Sequence, residues 1–306
     1  MQNGNSCREI VDGLRAAQAT LSAKYLYDDL GSRLFELITR LPEYYPTRVE
    51  QALLARHAGA IREAAGTEGA LIDLGAGNCQ KARALFPVLE PRQYVAVDIS
   101  AGFLQQAMAP LRAAFPSIEM HAVEADLQQP FALPAALRER RRIFFFPGSS
   151  IGNLDQDDAL SLLGTVRAQC ASHGGLLIGI DLVKDAPVLY AAYNDALGLT
   201  AAFNLNILNH VNAVLGSDFR LSDWRHRAVF DERFGRIEMH LDARRDLTVS
   251  WPGGGRRFGA GESIHTENSY KYHLPDFKAM MAQAGFRDVR AWTDERRWFA
   301  LCYGEA

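Results

Sequence analysis

The stretch A-L-I-D-L-G-A-G-N, Ala70 to Asn78, decides how this chain of 306 residues folds. A short apolar run that ends in G-x-G is typical of a buried strand turning sharply into a helix. Gly75 and Gly77 let the backbone turn and come close to a ligand. A helix is expected next, from Lys81 to Leu89. The stretch therefore predicts the first strand, turn and helix of an α/β fold with a ligand at the turn.

The same alternation of strand and helix continues as far as residue 184. Further apolar runs predict strands at residues 93–100, 118–127 and 175–182, and residues 142–153 predict a strand that runs into a Gly-rich turn. Continuous apolar strands separated by helices indicate a parallel sheet covered on both faces. Ligands of such sheets bind at the carboxyl ends of the strands.

After Lys184 the rhythm changes to one long predicted helix, 188–215, and then to shorter β-like runs. This change indicates a second unit. The predicted architecture is an α/β fold with a Rossmann-like domain and a smaller α+β substrate-binding domain. We assign residues 48–184 and 273–306 to the first and residues 1–47 and 185–272 to the second.

The N-terminal segment is predicted to be helical over residues 8–39 and again from Thr47 to Ala65. Thr47 and Glu50 have the spacing of a capping box at the start of the second helix. The segment Lys24 to Arg48 is rich in tyrosine, and Pro42 and Pro46 bracket one Tyr-Tyr pair. These tyrosines either cover the edge of the core or form a lid that carries hydroxyl groups into a site; they are Tyr25, Tyr27, Tyr44 and Tyr45.

Composition narrows the class of protein. The net charge of -3, with scattered basic residues, argues against a nucleic-acid surface. No apolar run has the length of a membrane span, and the N-terminus lacks the apolar core of a signal peptide. The four cysteines are far apart, so we expect no disulfide and no metal site, and a reducing cytoplasm. We expect a monomer.

Acids at the ends of the second and third predicted strands indicate the cofactor. Asp98 is placed to accept hydrogen bonds from ribose hydroxyls, and Asp126, followed by Leu127, to accept one from an adenine amino group. Gln80 stands where the dinucleotide fingerprint needs a small residue, which disfavours NAD. S-adenosylmethionine, which has a ribose and an adenine but no phosphate, fits this set. Taken singly, each acid is more simply explained as a helix cap or surface residue.

The stretch I-H-T-E-N-S-Y-K-Y, Ile264 to Tyr272, alternates like a strand. Strict alternation places Glu267 and Ser269 on one face together with His265, and Thr266 and Asn268 on the other. An acid and a hydroxyl two residues apart can hold a ligand with two hydrogen-bonding atoms. The simpler alternative is an edge strand with one solvated face.

Two alternatives belong to other functional classes. G-S-S-I-G, Gly148 to Gly152, matches the nucleophile elbow of α/β-hydrolases. Ser150, Asp181 and His210 follow in the order of a hydrolase triad, but that interpretation gives Gly75, Asp98 and Asp126 no role. The other alternative is a catalytically inactive module that senses S-adenosylmethionine.

Five motifs resemble those of the histidine-specific Nα-methyltransferases, which make hercynine for ergothioneine biosynthesis. They are Y-D-D-L-G-S-R-L-F-E-L-I-T-R-L-P-E-Y-Y-P-T-R (27–48), P-G-S-S-I-G-N-L (147–154), A-Y-N-D-A-L-G-L-T-A-A-F-N (192–204), R-I-E-M-H-L (236–241) and H-T-E-N-S-Y-K-Y (265–272). The resemblance runs from Lys24 to the end of the chain. It implies that the Rossmann-like domain is a methyltransferase domain and that L-histidine is the substrate.

The resemblance also implies residue roles. Asn153 and Tyr193 would hold the histidine carboxylate, while Tyr27 and the backbone at Gly148 would lie near the α-amine, with Tyr27 and Asn153 as the catalytic residues. Tyr44 would line the same pocket. Met239 would pack on the imidazole, whose nitrogens Glu267 and Ser269 would bind. The cofactor-binding residues would be Gly75, Gly77, Lys81, Asp98, Asp126 and Leu127.

Two departures from the family pattern concern substrate preference. The turn from Gly75 to Lys81 reads G-A-G-N-C-Q-K rather than G-S-G-T-S-E-K, and Asn268 stands where an aliphatic residue is expected. The same chemistry on a thiohistidine or a tryptophan-type substrate therefore stays open as an alternative.

Overall fold

The computed structural model describes residues 2–137, 141–170 and 173–306. They form two compact units. The first contains the residues up to Tyr44 together with Asp185–Ser269, and the second contains Tyr45–Lys184 and Tyr270–Ala306. The chain therefore passes between the units after Tyr44, after Lys184 and after Ser269. The functions predicted for the two domains stay predictions.

The helices of the described residues are α1 Gln2–Arg15, α2 Asp29–Ile38, α3 Tyr45–Arg56, α4 Ala58–Ala65, α5 Gln80–Leu89, α6 Ala101–Ala114, α7 Gln156–Gln169, α8 Ala186–Tyr193, α9 Leu199–Leu215 and α10 Leu274–Gln283. The strands are β1 Ala19–Thr20, β2 Ala70–Leu74, β3 Gln93–Asp98, β4 Glu119–Glu124, β5 Arg142–Phe146, β6 Gly175–Asp181, β7 Trp224–Asp231, β8 Arg236–Ala243, β9 Leu247–Trp251, β10 Gly254–Phe258, β11 Ser263–Tyr270, β12 Arg287–Thr293 and β13 Phe299–Glu305. Within these described ranges, no helix is both long and apolar enough to cross a membrane.

The second unit is built on a seven-stranded sheet in the order β12-β13-β6-β5-β2-β3-β4. Strands β2 to β6 are parallel, as predicted. The prediction of a parallel sheet is wrong at one edge, where β13 runs antiparallel to both β6 and β12. A short connection joins β12 to β13, and only antiparallel neighbours can be joined in this way.

Strand β12 was not predicted from the sequence. Its residues are exposed or half-buried, and its pattern mixes charged and apolar side chains without a continuous apolar run. It lies at the edge of the sheet. An edge strand buries less than its neighbours, so its sequence carries a weaker signal.

The strand order reverses between β2 and β5. Strands β3 and β4 follow on the far side of β2, whereas β6 lies on the far side of β5. In open α/β sheets this is the position where ligands bind, at the carboxyl ends of the strands. Gly75 follows β2, Asp98 ends β3, and Gly148 lies two residues beyond β5. The fold therefore gathers the predicted cofactor residues at one end of the sheet.

Two helix predictions near the N-terminus are wrong. Residues 8–39 do not form one helix, because α1 ends at Arg15 and Ala19–Thr20 pair with Ile264–His265 of β11 as a parallel strand. This pairing is a long-range interaction that local helix propensity cannot anticipate. Helix α3 begins at Tyr45, so Thr47 lies inside the helix and does not cap it. Glu50, the other half of the predicted capping box, is fully buried.

The first unit contains a sheet in the order β1-β11-β8-β7 and a separate hairpin of β9 and β10. The single helix predicted over 188–215 is two helices, α8 and α9. The carboxylate of Asp195 accepts hydrogen bonds from the backbone N–H groups of Leu199 and Thr200 at 2.9 and 2.8 Å, which caps the start of α9. Gly198, with φ of +71°, supplies the left-handed turn before it.

Candidate active site

The glycine-rich turn after β2 is held against the end of β3. The N–H groups of Gly75 and Ala76 both donate to the carbonyl of Val97, at 2.9 and 3.0 Å. Gly75 and Gly77 have φ of +65° and +51°, a region that suits glycine. A side chain added at Gly77 would meet nothing within 4 Å. The space beside Gly77 is therefore open.

Asp98 is fixed by the same turn. One carboxylate oxygen accepts from the N–H of Gly77 at 2.8 Å and the other from the N–H of Ser100 at 3.0 Å. Burial raises the pKa of this carboxyl, and the hydrogen bonds from Ser100 and Gly77 oppose that rise. Each oxygen keeps a further lone pair, so the group can accept hydrogen bonds from two ribose hydroxyls.

Asp126 lies two residues beyond β4, in the loop that begins at the carboxyl end of the sheet. Its carboxylate accepts from the N–H of Gln128 at 3.0 Å, which fixes the loop. The side chain of Leu127 packs against the apolar core beneath. Both residues thus have a structural function, and their contacts with the cofactor stay predictions.

Glu50 is a central residue of the second unit that the sequence interpretation missed. Its side chain is fully buried, and one oxygen lies 2.5 Å from the ammonium of Lys81. The other oxygen accepts from the N–H of Gly148 at 2.8 Å. A Cβ at Gly179 would lie 2.0 Å from this same oxygen. The glycine inside the apolar strand G-L-L-I-G-I-D-L was the available signal, since such a glycine often marks a close approach.

The pairing of Lys81 bears on the nature of the cofactor. Lys81 is the lysine of the glycine-rich turn, and its positive charge is balanced by Glu50. The turn therefore offers the Asp98 carboxylate, while its lysine is already paired with a carboxylate. A ligand with a ribose and no phosphate fits this donor and acceptor set.

The segment after β5 turns sharply before it reaches Asn153. Gly148 and Ser149 have φ of +78° and +58°, and residues Ser150–Asn153 form a single 3₁₀ turn. The Ser149 hydroxyl accepts from the N–H of Asp181 at 2.9 Å. Asn153 is half-buried at the end of this turn. Its predicted contact with a substrate carboxylate stays a prediction.

In the first unit, the structure brings together two predicted substrate residues from distant elements. The hydroxyl of Tyr193, at the end of α8, lies 2.7 Å from Oγ of Ser269 in β11. Glu267 and Met239 are buried on β11 and the neighbouring β8, with 7% and 1% of their surface exposed. Glu267 is thus buried, and it lies two residues before Ser269 in the same strand.

The tyrosines of the N-terminal segment separate into two groups. Tyr25 and Tyr45 are core residues, with 5% and 2% of their surface exposed. Tyr27 and Tyr44 instead belong to an aromatic cluster in which every ring contact is edge-on except the tilted Phe35–Phe203 pair. Its members are Tyr27, Phe35, Tyr44, Tyr193 and Phe203, with neighbouring ring centroids 5.4 to 6.4 Å apart. The cluster joins three of the predicted substrate residues, Tyr27, Tyr44 and Tyr193.

Burial does not alternate strictly along Ile264 to Tyr272, because Thr266 and Glu267 are both buried. A strand covered on both faces gives such a pattern, so the shared face of Glu267 and Ser269 stays a prediction. His265 Nε2 lies 2.9 Å from the Asn268 side-chain oxygen. Strand β11 is not an edge strand, since it lies between β1 and β8.

A hydrogen-bonded chain behind β11 leads to Tyr193. The Thr266 hydroxyl donates to the Asn204 side-chain oxygen at 2.6 Å, and the Asn204 amide donates to His226 Nδ1 at 3.0 Å and to the carbonyl of His240 at 3.0 Å. His226 Nε2 then donates to the carbonyl of Tyr193 at 3.0 Å. This arrangement requires neutral His226, and burial lowers its pKa accordingly.

The residues of this chain were not identified from the sequence, although Asn204 ends one of the quoted motifs. Asn204 is fully buried on α9 and uses both of its donors and its acceptor. It links β11 and β8 to the end of α8. The chain therefore fixes the backbone from which the Tyr193 hydroxyl reaches Ser269.

The hydrolase triad is not assembled. The Ser150 hydroxyl donates to the carbonyl of Pro147 at 3.1 Å. The Asp181 carboxylate is bound by Tyr45, Lys184 and Lys271. His210 belongs to the other compact unit, where Nδ1 lies 2.8 Å from the carbonyl of Tyr25.

The predicted site residues thus divide between the units. The first unit holds Tyr27, Tyr44, Tyr193, Met239, Glu267 and Ser269, and the second holds Gly75, Gly77, Lys81, Asp98, Asp126, Leu127, Gly148 and Asn153. Among the residues that the structure describes, no group of histidine, cysteine and acidic side chains could hold a metal ion.

Solved structures share this fold. An S-adenosylmethionine-dependent methyltransferase from Clostridium acetobutylicum matches with a TM-score of 0.51 and 12% identity, covering 90% of this chain and 99% of that one. The CcbJ methyltransferase from Streptomyces caelestis matches with a TM-score of 0.51 and 14% identity, covering 89% and 95%. The second unit therefore has the α/β fold of S-adenosylmethionine-dependent methyltransferases.

Residues 6–306 match the family described as histidine-specific methyltransferase, SAM-dependent, and the chain belongs to this family. Histidine N-alpha-methyltransferases from Mycolicibacterium smegmatis and Mycobacterium tuberculosis are 39% and 36% identical, each over 96% of this chain and 92% of their own length. Ergothioneine biosynthesis protein 1 of Neurospora crassa is 31% identical over 88% of this chain, which covers 31% of that longer protein. The resemblance seen in the five motifs is confirmed.

Proposed function

We propose that this protein transfers methyl groups from S-adenosylmethionine to the α-amino nitrogen of free L-histidine, in three rounds, to give hercynine. The observation that carries the proposal is the 2.7 Å contact between Tyr193 and Ser269. It joins a predicted carboxylate contact to a predicted imidazole contact, beside the buried Glu267. The family and the relatives named above support the same activity.

Asp98 and the glycine-rich turn would hold the cofactor. When bound, S-adenosylmethionine supplies a methyl group on a positively charged sulfur, which becomes neutral when the methyl leaves. The protein needs no acid for that departure. Its contribution is to align the amine with the methyl group, and correct positioning alone lowers such a barrier substantially.

Glu267 and Ser269 suit the imidazole ring because a carboxylate accepts from a ring N–H and a hydroxyl can donate to or accept from the other nitrogen. Met239, almost fully buried, offers an apolar surface for the ring. Tyr193 would donate its single proton to the substrate carboxylate and accept from the Ser269 hydroxyl, so the Ser269 oxygen would accept from a ring N–H. A substrate held at both its carboxylate and its imidazole presents its amine in one position.

The α-amine attacks only after it has lost its proton, which we assign to water or to a relay through Tyr27. The Tyr27 ring packs edge-on against Phe35 and Phe203, with centroids 5.7 and 5.4 Å away, which fixes its direction. Each round makes the nitrogen more bulky, and the last leaves it permanently charged. Aromatic faces accept a quaternary ammonium without needing hydrogen bonds from it.

The roles of Asn153 and Gly148 stay part of the proposal. Gly148 is held by Glu50, and Asn153 follows in the same turn. We propose that Asn153 contributes to the substrate carboxylate contact. Action as a monomer in a reducing cytoplasm is likewise proposed.

One experiment tests the activity. The purified protein is incubated with methyl-labelled S-adenosylmethionine and each of the standard amino acids, and with a thiolated histidine, and the products are read by mass. We expect methylation of histidine up to the trimethylated product. Methylation of tryptophan or of thiolated histidine, and not of histidine, would show that the proposed substrate is wrong. Cofactor binding without turnover would indicate a sensing module. A fluorophosphonate probe should leave Ser150 unlabelled.

A further inference from the structure

The chain passes between the units three times, and residues of the second unit beside these three passages lie close to one another. Tyr45 is the first residue after one passage, Lys184 is the last before another, and Lys271 follows the third passage by two positions. These residues are far apart in the sequence. All three side chains nevertheless contact the same carboxylate, that of Asp181 at the end of β6.

The contacts with Asp181 are short. The Tyr45 hydroxyl donates to both carboxylate oxygens at 2.8 and 2.7 Å. Lys184 Nζ lies 2.5 Å from one oxygen, and Lys271 Nζ lies 2.9 Å from the other. Lys184 also donates to the Tyr45 hydroxyl at 2.7 Å. Each passage is therefore tied to Asp181 by at least one hydrogen bond or ion pair.

This cluster is deeply buried. Asp181 and Lys271 each have 1% of their side-chain surface exposed, and Lys184 has 4%. Burial alone would raise the pKa of Asp181, but the charges of Lys271 and Lys184 hold it below its usual value. The Asp181 carboxylate contacts both ammonium groups, and Asp294 adds a further negative charge that acts on Lys184. Removing the Asp181 carboxylate leaves two buried positive charges without their common partner, which is costly in a protein interior.

The positions of these contacts matter because predicted substrate residues are close to Tyr45 and Lys271 in the sequence. Tyr44 is joined by a peptide bond to Tyr45, and Ser269 lies two residues before Lys271. A shift of the backbone at these ties would move the tyrosine and the serine. The cofactor residues Gly75 and Asp98 lie on other loops, at the ends of β2 and β3.

We propose that Asp181 is a positioning residue, which ties the three chain passages at one point and so sets the placement of Tyr44 and Ser269 for substrate binding. This inference rests on the proposed function for the identity of the substrate. It assigns to Asp181 no contact with the substrate or the cofactor. Its effect is transmitted through Tyr45, Lys184 and Lys271.

The test compares Asp181→Asn with Asp73→Asn by hydrogen–deuterium exchange of the full chain. Asp73 is a matched control, because it is also 1% exposed, lies in a strand of the same sheet and accepts from a tyrosine hydroxyl, that of Tyr94 at 2.8 Å. Asp181→Asn should raise amide exchange together around residues 44–47, 182–186 and 269–273. Asp73→Asn should leave these three segments as in the wild type.

Kinetics supply the second readout. In Asp181→Asn we expect KM for histidine to rise about tenfold, while the Kd of S-adenosylhomocysteine changes less than about twofold. The double variant Asp181→Asn/Lys271→Met restores the original net charge of the cluster. It should return exchange at the first two passages towards the wild type and leave the third raised, because only the Lys271 tie is then missing.

Two outcomes would overturn the proposal. One is increased exchange confined to the end of β6, and the other is an equal loss of histidine and cofactor affinity. If Asp181→Asn does not fold, Tyr45→Phe and Lys271→Met decide the matter, since each must raise exchange at its own passage and raise KM for histidine. A wild type that does not methylate histidine would refute the proposed function, whereas the exchange result stands independently of the substrate.

Discussion

The hydroxyl oxygen of Tyr193 lies 2.7 Å from Oγ of Ser269, although 76 residues separate the two positions in the chain. The contact joins the end of α8 to β11. A hydrogen-bonded chain from Thr266 through Asn204 and His226 ends at the Tyr193 carbonyl. Two substrate contacts predicted separately are thus one connected unit.

Ser269→Ala should weaken histidine binding with little effect on the cofactor. It removes a predicted imidazole contact and takes a partner from the Tyr193 hydroxyl. Loss of such a hydrogen bond in a buried site costs about 1–3 kcal/mol, so KM for histidine should rise by roughly tenfold. Steady-state kinetics with saturating cofactor measure this. Ser263→Ala, at the half-buried start of the same strand, is the matched control and should resemble the wild type.

Glu267→Ala should reduce kcat/KM for histidine by about 5- to 150-fold, because an imidazole N–H loses its acceptor at a cost of about 1–3 kcal/mol. Isothermal titration with S-adenosylhomocysteine should give a nearly unchanged Kd. Glu232→Ala is the control, since Glu232 is exposed in the turn between β7 and β8. Equal losses of histidine and cofactor affinity would mean that Glu267 is a structural residue.

Asp98→Asn should act on the cofactor instead. The carboxylate accepts from the N–H groups of Gly77 and Ser100, and an amide has only one oxygen to do so. We expect the Kd of S-adenosylhomocysteine to rise at least about tenfold, as the turn loosens and a ribose acceptor is lost. Glu124→Gln, exposed at the end of β4, should bind normally. An unchanged Kd for Asp98→Asn would exclude the ribose contact.

Asp73 should make stability depend on pH. Burial raises the pKa of its carboxyl from 3.8 to about 7. The folded protein therefore keeps a proton that the unfolded chain releases between these two values. Relative to Asp73→Asn, the wild type should lose at most about 1.4 kcal/mol of stability per pH unit as the pH rises through this window.

Urea unfolding of both proteins at several pH values measures this difference. Above the folded pKa of about 7 the difference should level off, because both states are then ionised. Asp157→Asn, at an exposed position of α7, is the control and should follow the wild type. A difference between wild type and Asp73→Asn that is constant with pH would contradict the raised pKa.

Much of the fold could be predicted from the sequence because its signals are local. The apolar runs of β2 to β6 and the glycines after β2 specify a strand or a turn within a few residues, and parallel strands place their carboxyl ends together. Asp98 was predicted in this way to lie beside the glycine-rich turn, and its hydrogen bond from the Gly77 N–H agrees with that position. Family motifs identified Glu267, Ser269 and Tyr193, and the structure shows the last two in contact.

The sequence by itself determined the alternating α/β pattern, the glycine-rich turn with its acid, and the family to which the chain belongs. Only the tertiary structure decided which partners bind the side chains of Glu50 and Asn204. Each is a polar side chain that is buried because its partners arrive from distant segments: Lys81 and Gly148 for Glu50, Thr266 and His226 for Asn204. Burying such groups is favourable only when those partners are in place. No local pattern records where the partners will be.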